Sequence, residues 1–191
     1  GERDFWGKSN FYEESVGVPC IIKGPNIPVG KVCKTPVSLV DVHPTILKTA
    51  GIDPEKKPGA SLVDLANAED DPKRLVFSEY HAMGSATGAF MIRKGHWKFV
   101  YYVSMQPQLF NLLEDPDELH DLGTDLKYAN LRSEMEADLR SICDPEAVDA
   151  KAKADQMAIV KANGGIEAGV ARGGFGATPP PGVKVEYANK D

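Results

Sequence analysis

Thr87-Gly88-Ala89-Phe90-Met91-Ile92-Arg93-Lys94-Gly95-His96-Trp97-Lys98-Phe99-Val100-Tyr101-Tyr102-Val103 reads as two strands folded back on each other. The arms, Thr87 to Arg93 and Trp97 to Val103, are rich in the apolar, aromatic and β-branched residues that suit a pleated, half-buried surface. Lys94-Gly95-His96 between them is short enough for a hairpin, so the pairing is antiparallel. Arg74 to Tyr80, holding Leu75-Val76-Phe77, supplies a strand before the hairpin. Gln108-Leu109-Phe110-Asn111-Leu112 supplies a fourth after it, ahead of a turn at Asp115-Pro116.

Helices follow the sheet. Leu131, Met135, Leu139 and Ile142 recur at helical spacing within Lys127 to Ile142, which predicts an amphipathic helix covering one sheet face. Asp144-Pro145-Glu146 opens a second helix through Ala147 to Ala162, closed by Asn163-Gly164-Gly165. The Gly- and Pro-rich end, including Gly173-Gly174-Phe175-Gly176 and Pro179-Pro180-Pro181, has too little apolar surface for a core of its own. It is expected to be disordered or laid over another surface.

On the N-terminal side, residues 1–16 read as a polar and aromatic loop. Val18-Pro19-Cys20-Ile21-Ile22-Lys23 reads as a short buried strand, and the Pro- and Gly-punctuated residues 24–36 as an extended crossing. Leu39, Val42, Ile46, Leu47 and Ala50 predict a helix with Asp41 as N-cap, Pro44 in the first turn and Gly51 as the stop. Residues 53–73 read as a polar loop with a short apolar piece, Ser61 to Ala66.

The chain has 191 residues, 42% of them hydrophobic and 26% charged, which fits a folded domain rather than a disordered chain. A net charge of −6 offers no basic field for nucleic acid or anionic lipid, and no apolar run is long enough to span a bilayer. Cys20, Cys33 and Cys143 are far apart and form no C-x-x-C pair; a Cys20–Cys33 bridge stays open. Gly1-Glu2-Arg3-Asp4-Phe5-Trp6-Gly7-Lys8 opens as though from the middle of a longer protein.

No P-loop, H-E-x-x-H or G-x-S-x-G motif is present. Lys8, after a glycine in an aromatic loop, could serve as an anion-binding point charge. His81 stands where a strand runs into a small-residue loop, a place where substrate groups are often held. His43, His96 and His120 read as structural. Glu114, Asp115, Asp117, Glu118 and Asp121 read as a solvated acidic turn rather than a cation site.

Gly1 to Ser15 with Val18-Pro19 resembles the sulfatase family's segment around its second metal-binding region. Pro36 to Thr45 with Ala50-Gly51-Ile52, Ser78-Glu79-Tyr80 with Met91 to Lys98, and Leu109-Phe110-Asn111-Leu112 with Asp115-Pro116-Asp117-Glu118 match further family segments in order. The resemblance runs to about residue 143. Beyond it, Asp144-Pro145 and Gly173 to Gly182 look like the tails of bacterial choline-sulfatase-like members.

The resemblance implies an α/β fold: the end of an alkaline-phosphatase-like α/β domain over residues 1–73, then a C-terminal antiparallel sheet and helix over 74–143. A helical and Gly/Pro-rich tail would cover 144–191. It implies hydrolysis of sulfate monoesters by a formylglycine nucleophile with a divalent metal ion, usually calcium. Lys8 maps onto the lysine that contacts the sulfate, and His81 becomes a substrate-binding candidate. No metal ligand maps onto this chain. The lone C-x-P, Cys143-Asp144-Pro145, has Ala147 where the modification motif requires arginine. Nucleophile and metal ligands are therefore expected upstream, and the chain alone is expected to be inactive and prone to aggregate.

The implied partner is a small sulfate ester, with neither nucleic acid nor membrane. Two other readings remain: a phosphodiesterase or phosphonate monoester hydrolase of the same superfamily, and a non-catalytic module that forms homo-oligomers through the tail from residue 164. The compartment, cytoplasmic or periplasmic, is left open.

Overall fold

The structure, a computed structural model, describes residues 2–4, 7–54, 58–82 and 85–172. Four strands form one antiparallel sheet in sequence order: β1 (Leu75–Tyr80), β2 (Ala89–Lys94), β3 (Trp97–Tyr102) and β4 (Gln108–Asn111). The register sets Ser78 opposite Met91, Met91 opposite Val100 and Phe99 opposite Leu109. Gly95 turns the hairpin with φ +58°, a conformation glycine reaches without a Cβ penalty.

Six helices complete the described chain: α1 (Glu13–Val16), α2 (Val42–Thr49), α3 (Leu62–Asn67), α4 (Ala129–Ile142), α5 (Pro145–Ala162) and α6 (Gly165–Arg172). The expected strands, covering helix and following helix are all present within a few residues. Asp144 caps α5 by accepting from Ala147 N, and Pro145 takes the first helical position.

Strand alternation divides the core between two faces. On one face Phe90, Ile92, Phe99 and Leu109 meet Met135 and Leu139 of α4, all fully buried. Lys94 fastens that helix to the hairpin through Glu134 at 2.8 Å and Asp138 at 2.7 Å. On the other face Ala89, Met91 and Val100 pack with Phe11, and Val16 borders the cluster. The second cover is the segment expected to be a loop; within it, Glu13–Val16 is a turn of helix.

Other expectations need correction. Val18 to Lys23 forms no strand: no strand lies beside it among the described residues, and Ile21 is 94% exposed. An apolar run becomes a strand only where it has a ladder to join. Within residues 53–73, expected to be a polar loop, the apolar piece that begins at Ser61 forms the short helix α3. Residues 165–172, expected to belong to an unstructured or overlying end, are helical; the remainder of that end lies outside the described residues.

Asp41 is not the side-chain cap of α2. Ser38 caps the preceding 3₁₀ turn (Leu39–Asp41), and the Asp41 carboxylate reaches back to Ser38 N at 2.8 Å. Its other oxygen accepts from Ala60 N at 2.8 Å and pairs with Arg74 at 2.6 Å, so this fully buried carboxylate joins α2 to the start of β1. Pro44 does lie in the first turn, and Gly51 follows the helix with φ +74°.

Candidate functional site: a tethered lysine loop and a histidine corner

Lys8 is exposed and has no hydrogen bond or ion pair among the described residues. Gly7 before it has φ +123°, and a Cβ there would meet nothing within 4 Å. The glycine is therefore needed for backbone conformation, not for space.

The chain on either side of Lys8 is held firmly. Arg3 donates to the carbonyls of Asp117 and Glu118, the latter at 2.9 Å, and its guanidinium stacks 4.1 Å over the Tyr12 ring. Phe11 is buried and its carbonyl accepts from Lys98 Nζ at 2.8 Å. The Tyr12 ring tilts against Phe110 with centroids 6.0 Å apart, and its hydroxyl accepts from Gln108 Nε2 at 3.2 Å. Gln108 Oε1 in turn accepts from Tyr102 at 2.8 Å; burial pushes the Tyr102 hydroxyl up to about 12.

Beneath these contacts lies a buried charge network. Lys98 shares a sheet face with Val100, so it points under the N-terminal segment and is fully buried. Its ammonium lies 2.6 Å from Glu13 Oε1 and 2.8 Å from Glu118 Oε1. The Glu118 contact is an ion pair outside hydrogen-bond alignment, and it is the one described partner of that oxygen. Glu118 Oε2 accepts from Glu13 N at 2.7 Å, and Glu13 Oε2 accepts from Arg93 at 3.4 Å. Two cations thus face two carboxylates, the condition under which buried charge is tolerated.

Glu118, expected in a solvated acidic turn, is instead 2% exposed. Its backbone has φ +50°, a left-handed conformation costing a non-glycine residue on the order of 1 kcal/mol. Asp115 keeps the expected turn character, accepting from Leu119 N and His120 N, which holds its carboxyl below the usual range despite partial desolvation.

His81 follows β1 and is 18% exposed in its side chain. Its ring meets Phe90 edge-on with centroids 5.2 Å apart, and Nε2 lies 3.6 Å from Glu79. Both ring nitrogens are buried without a hydrogen-bond partner among the described residues. A Cβ on Gly88 would fall 3.0 Å from His81 Cε1 and from Asp149, so glycine permits the close approach. Asp149 accepts from Gly88 N at 2.7 Å and from Lys153 at 2.8 Å; Lys153 chiefly, with that amide, lowers its carboxyl against some desolvation. Gln156 of α5 donates to the His81 carbonyl.

No described contact joins Lys8 to His81. The network beside Lys8 was missed because Glu13, Lys98 and Glu118 are far apart in sequence. Lys98 alone carried a signal, a charge inside an apolar strand at a core-facing phase.

The cysteines are free thiols. Cys143 closes α4 and burial pushes its thiol up, away from the thiolate a nucleophile needs. Among the described residues no three His, Cys, Asp or Glu side chains gather to hold a metal.

The family model for N-sulphoglucosamine sulphohydrolase, C-terminal, matches residues 1–144. Arylsulfatase K of Mus musculus is 37% identical over 160 residues, covering 78% of this chain. Choline-sulfatase of Rhizobium meliloti (strain 1021) is 39% identical over 163 residues, covering 82%. The chain spans 28% of the first relative's length and 31% of the second's. A crystal structure from Bacteroides thetaiotaomicron VPI-5482, assigned as a sulfatase, superposes on 69% of this chain and 30% of its own, with TM-score 0.56 and 32% identity. A phosphonate monoester hydrolase from Silicibacter pomeroyi shares the fold over 71% of this chain and 30% of its own, with TM-score 0.60 and 21% identity. The family model covers most of the chain and both relatives exceed 30% identity over more than two thirds of it, so the chain belongs to the sulfatase family.

Proposed function

We propose that this chain is the C-terminal region of an enzyme that hydrolyses sulfate monoesters, and that Lys8 is its contribution to sulfate binding. The observation that carries the reading is Lys8 itself: an ammonium without a described partner, on a loop held at Arg3 by the acidic turn and at Phe11 and Glu13 by Lys98 and Glu118. Such a charge would stabilise the non-bridging sulfate oxygens as negative charge moves toward the leaving group.

His81 is the second candidate. A substrate oxygen entering between the end of β1 and α5 would give one of its ring nitrogens the partner it lacks. The family's divalent ion, for which calcium is the proposal here, finds no ligand set among the described residues, and Cys143 does not fit a formylglycine precursor. In this reading both belong to the part of the relatives' length that this chain does not span.

The domain division follows the same reading. Residues 1–73 close an α/β catalytic domain, 74–143 form the sheet-and-helix unit and 144–191 a tail. Exposed apolar side chains concentrate in the first part, among them Ile21, Val29, Val32, Leu39 and Ile46, which supports their being covered by the rest of such a domain.

The test is product analysis with the natural protein that carries this sequence, offered an aryl sulfate and an aryl phosphonate monoester. Preferential sulfate release is expected. Preferential phosphonate cleavage would move the protein to the other branch of the superfamily, and turnover of neither would favour a non-catalytic module.

A further inference from the structure

We propose that Glu118 is the positioning residue for Lys8, holding both ends of the loop that carries it; the inference rests on the reading of Lys8 as a sulfate ligand. Two atoms of Glu118 grip the segment directly, and a third acts on it through Lys98. Its carbonyl accepts from Arg3, before the loop. Its Oε2 accepts from Glu13 N, after the loop. Its Oε1 pairs with Lys98, which also holds the Phe11 carbonyl and the Glu13 carboxylate.

Lys8 stands midway between Arg3 and Glu13 and has no described partner of its own, so the position of its ammonium depends on where the loop ends are held. The left-handed backbone of Glu118, φ +50°, lets its carbonyl and its side chain serve the two ends together. Such a conformation persists only where surrounding contacts over-determine it. Glu118 is 2% exposed and touches no substrate in this scheme; it acts through Lys8.

The test uses the natural protein carrying this sequence, with Glu118→Ala and Glu118→Gln made alone and together with Lys8→Ala. Hydrogen exchange over residues 7–12 is compared with exchange over β2 and β3. Glu118→Ala is expected to raise exchange in the loop about tenfold while the strands stay protected. With 4-nitrophenyl sulfate, kcat/KM is expected to fall roughly ten- to a hundredfold, since a displacement of an ångström is enough for that. In the Lys8→Ala background the same substitution should cost less than about twofold, because two residues acting through one contact are not additive. Glu118→Gln keeps the acceptor for Glu13 N and should lose less.

Equal losses in both backgrounds would make Glu118 merely structural, and unchanged exchange in the loop would overturn the tether. If Glu118→Ala does not fold, Glu118→Gln is read in its place. If the wild type releases no sulfate, the sulfate reading falls, and the exchange comparison alone decides whether Glu118 holds the loop.

Discussion

Lys98 Nζ lies 2.8 Å from Glu118 Oε1, with the two side chains 0% and 1% exposed. This pair joins the middle of a strand to the acidic turn and, through Glu13, to the segment that covers the second face of the sheet. A charged residue therefore performs at that face what leucine and methionine of α4 perform at the other.

Removing the cation should be costly. Lys98→Met leaves Glu118 buried beside a half-buried Glu13 with no ammonium, and breaking such a pair typically costs about 3–5 kcal/mol. Combining it with Glu13→Gln and Glu118→Gln should recover much of that loss. Urea unfolding of the single and triple variants measures both; an undiminished midpoint in Lys98→Met would show that the pair carries no stability.

Asp41 predicts a second sensitive point. Asp41→Ala leaves the amides of Ser38 and Ala60 without their acceptor and the Arg74 guanidinium without its carboxylate, though with the Pro36 carbonyl. A loss of roughly 3 kcal/mol is expected. Exchange should rise over residues 36–62 before it rises in the sheet; uniform loosening would contradict the local role.

The clamp between α4 and α5 gives a pH signature. Arg140 first, and Tyr101 next, hold the Glu146 carboxyl down to about 2. Its folded value lies below the ordinary glutamate value near 4.3, so its contribution is present above about pH 4.3 and is lost as pH falls through about 2. Glu146 is nearly half exposed, which limits the effect to about 1 kcal/mol or less. A carboxyl NMR titration of Glu146 should show the depressed midpoint; a midpoint near 4 would remove the clamp.

Gly123 admits no side chain. A Cβ there would fall 2.1 Å from the Pro107 carbonyl oxygen, a backbone atom with little room to shift. Gly123→Ala should cost at least about 1–3 kcal/mol through overpacking, read from its thermal midpoint. An unchanged midpoint would mean that the turn between β4 and α4 yields freely.

The apolar strip over residues 18–52 bears on solution behaviour. Ile21, Val29 and Val32 are 94%, 101% and 81% exposed. The 191-residue chain on its own should self-associate, and lysine at these three positions should reduce it. Light scattering checks this; a monodisperse monomer with the wild-type strip would contradict it.

The sheet and the helices α2, α4 and α5 were legible because their signals are local. Gly95 between two β-rich arms, the 131–142 apolar spacing and Asp144-Pro145 each decide their element within one turn or hairpin. Val18 to Lys23 misled because an apolar run reports that it is buried somewhere, not that its neighbours are at hand. Glu118 misled because its burial comes from Arg3, Glu13 and Lys98, none of them near it in sequence. Lys8 could be singled out by resemblance, whereas Arg3, Glu13, Lys98 and Glu118 meet only through the fold.

The most direct measurement is steady-state hydrolysis of 4-nitrophenyl sulfate by the natural protein and its Lys8→Ala variant. A ligand of the developing sulfate charge should lower kcat/KM by about 10²–10³ on removal, with folding unchanged because Lys8 is exposed and unpaired among the described residues. Equal kcat/KM in the two proteins would contradict the assignment of Lys8 to the sulfate.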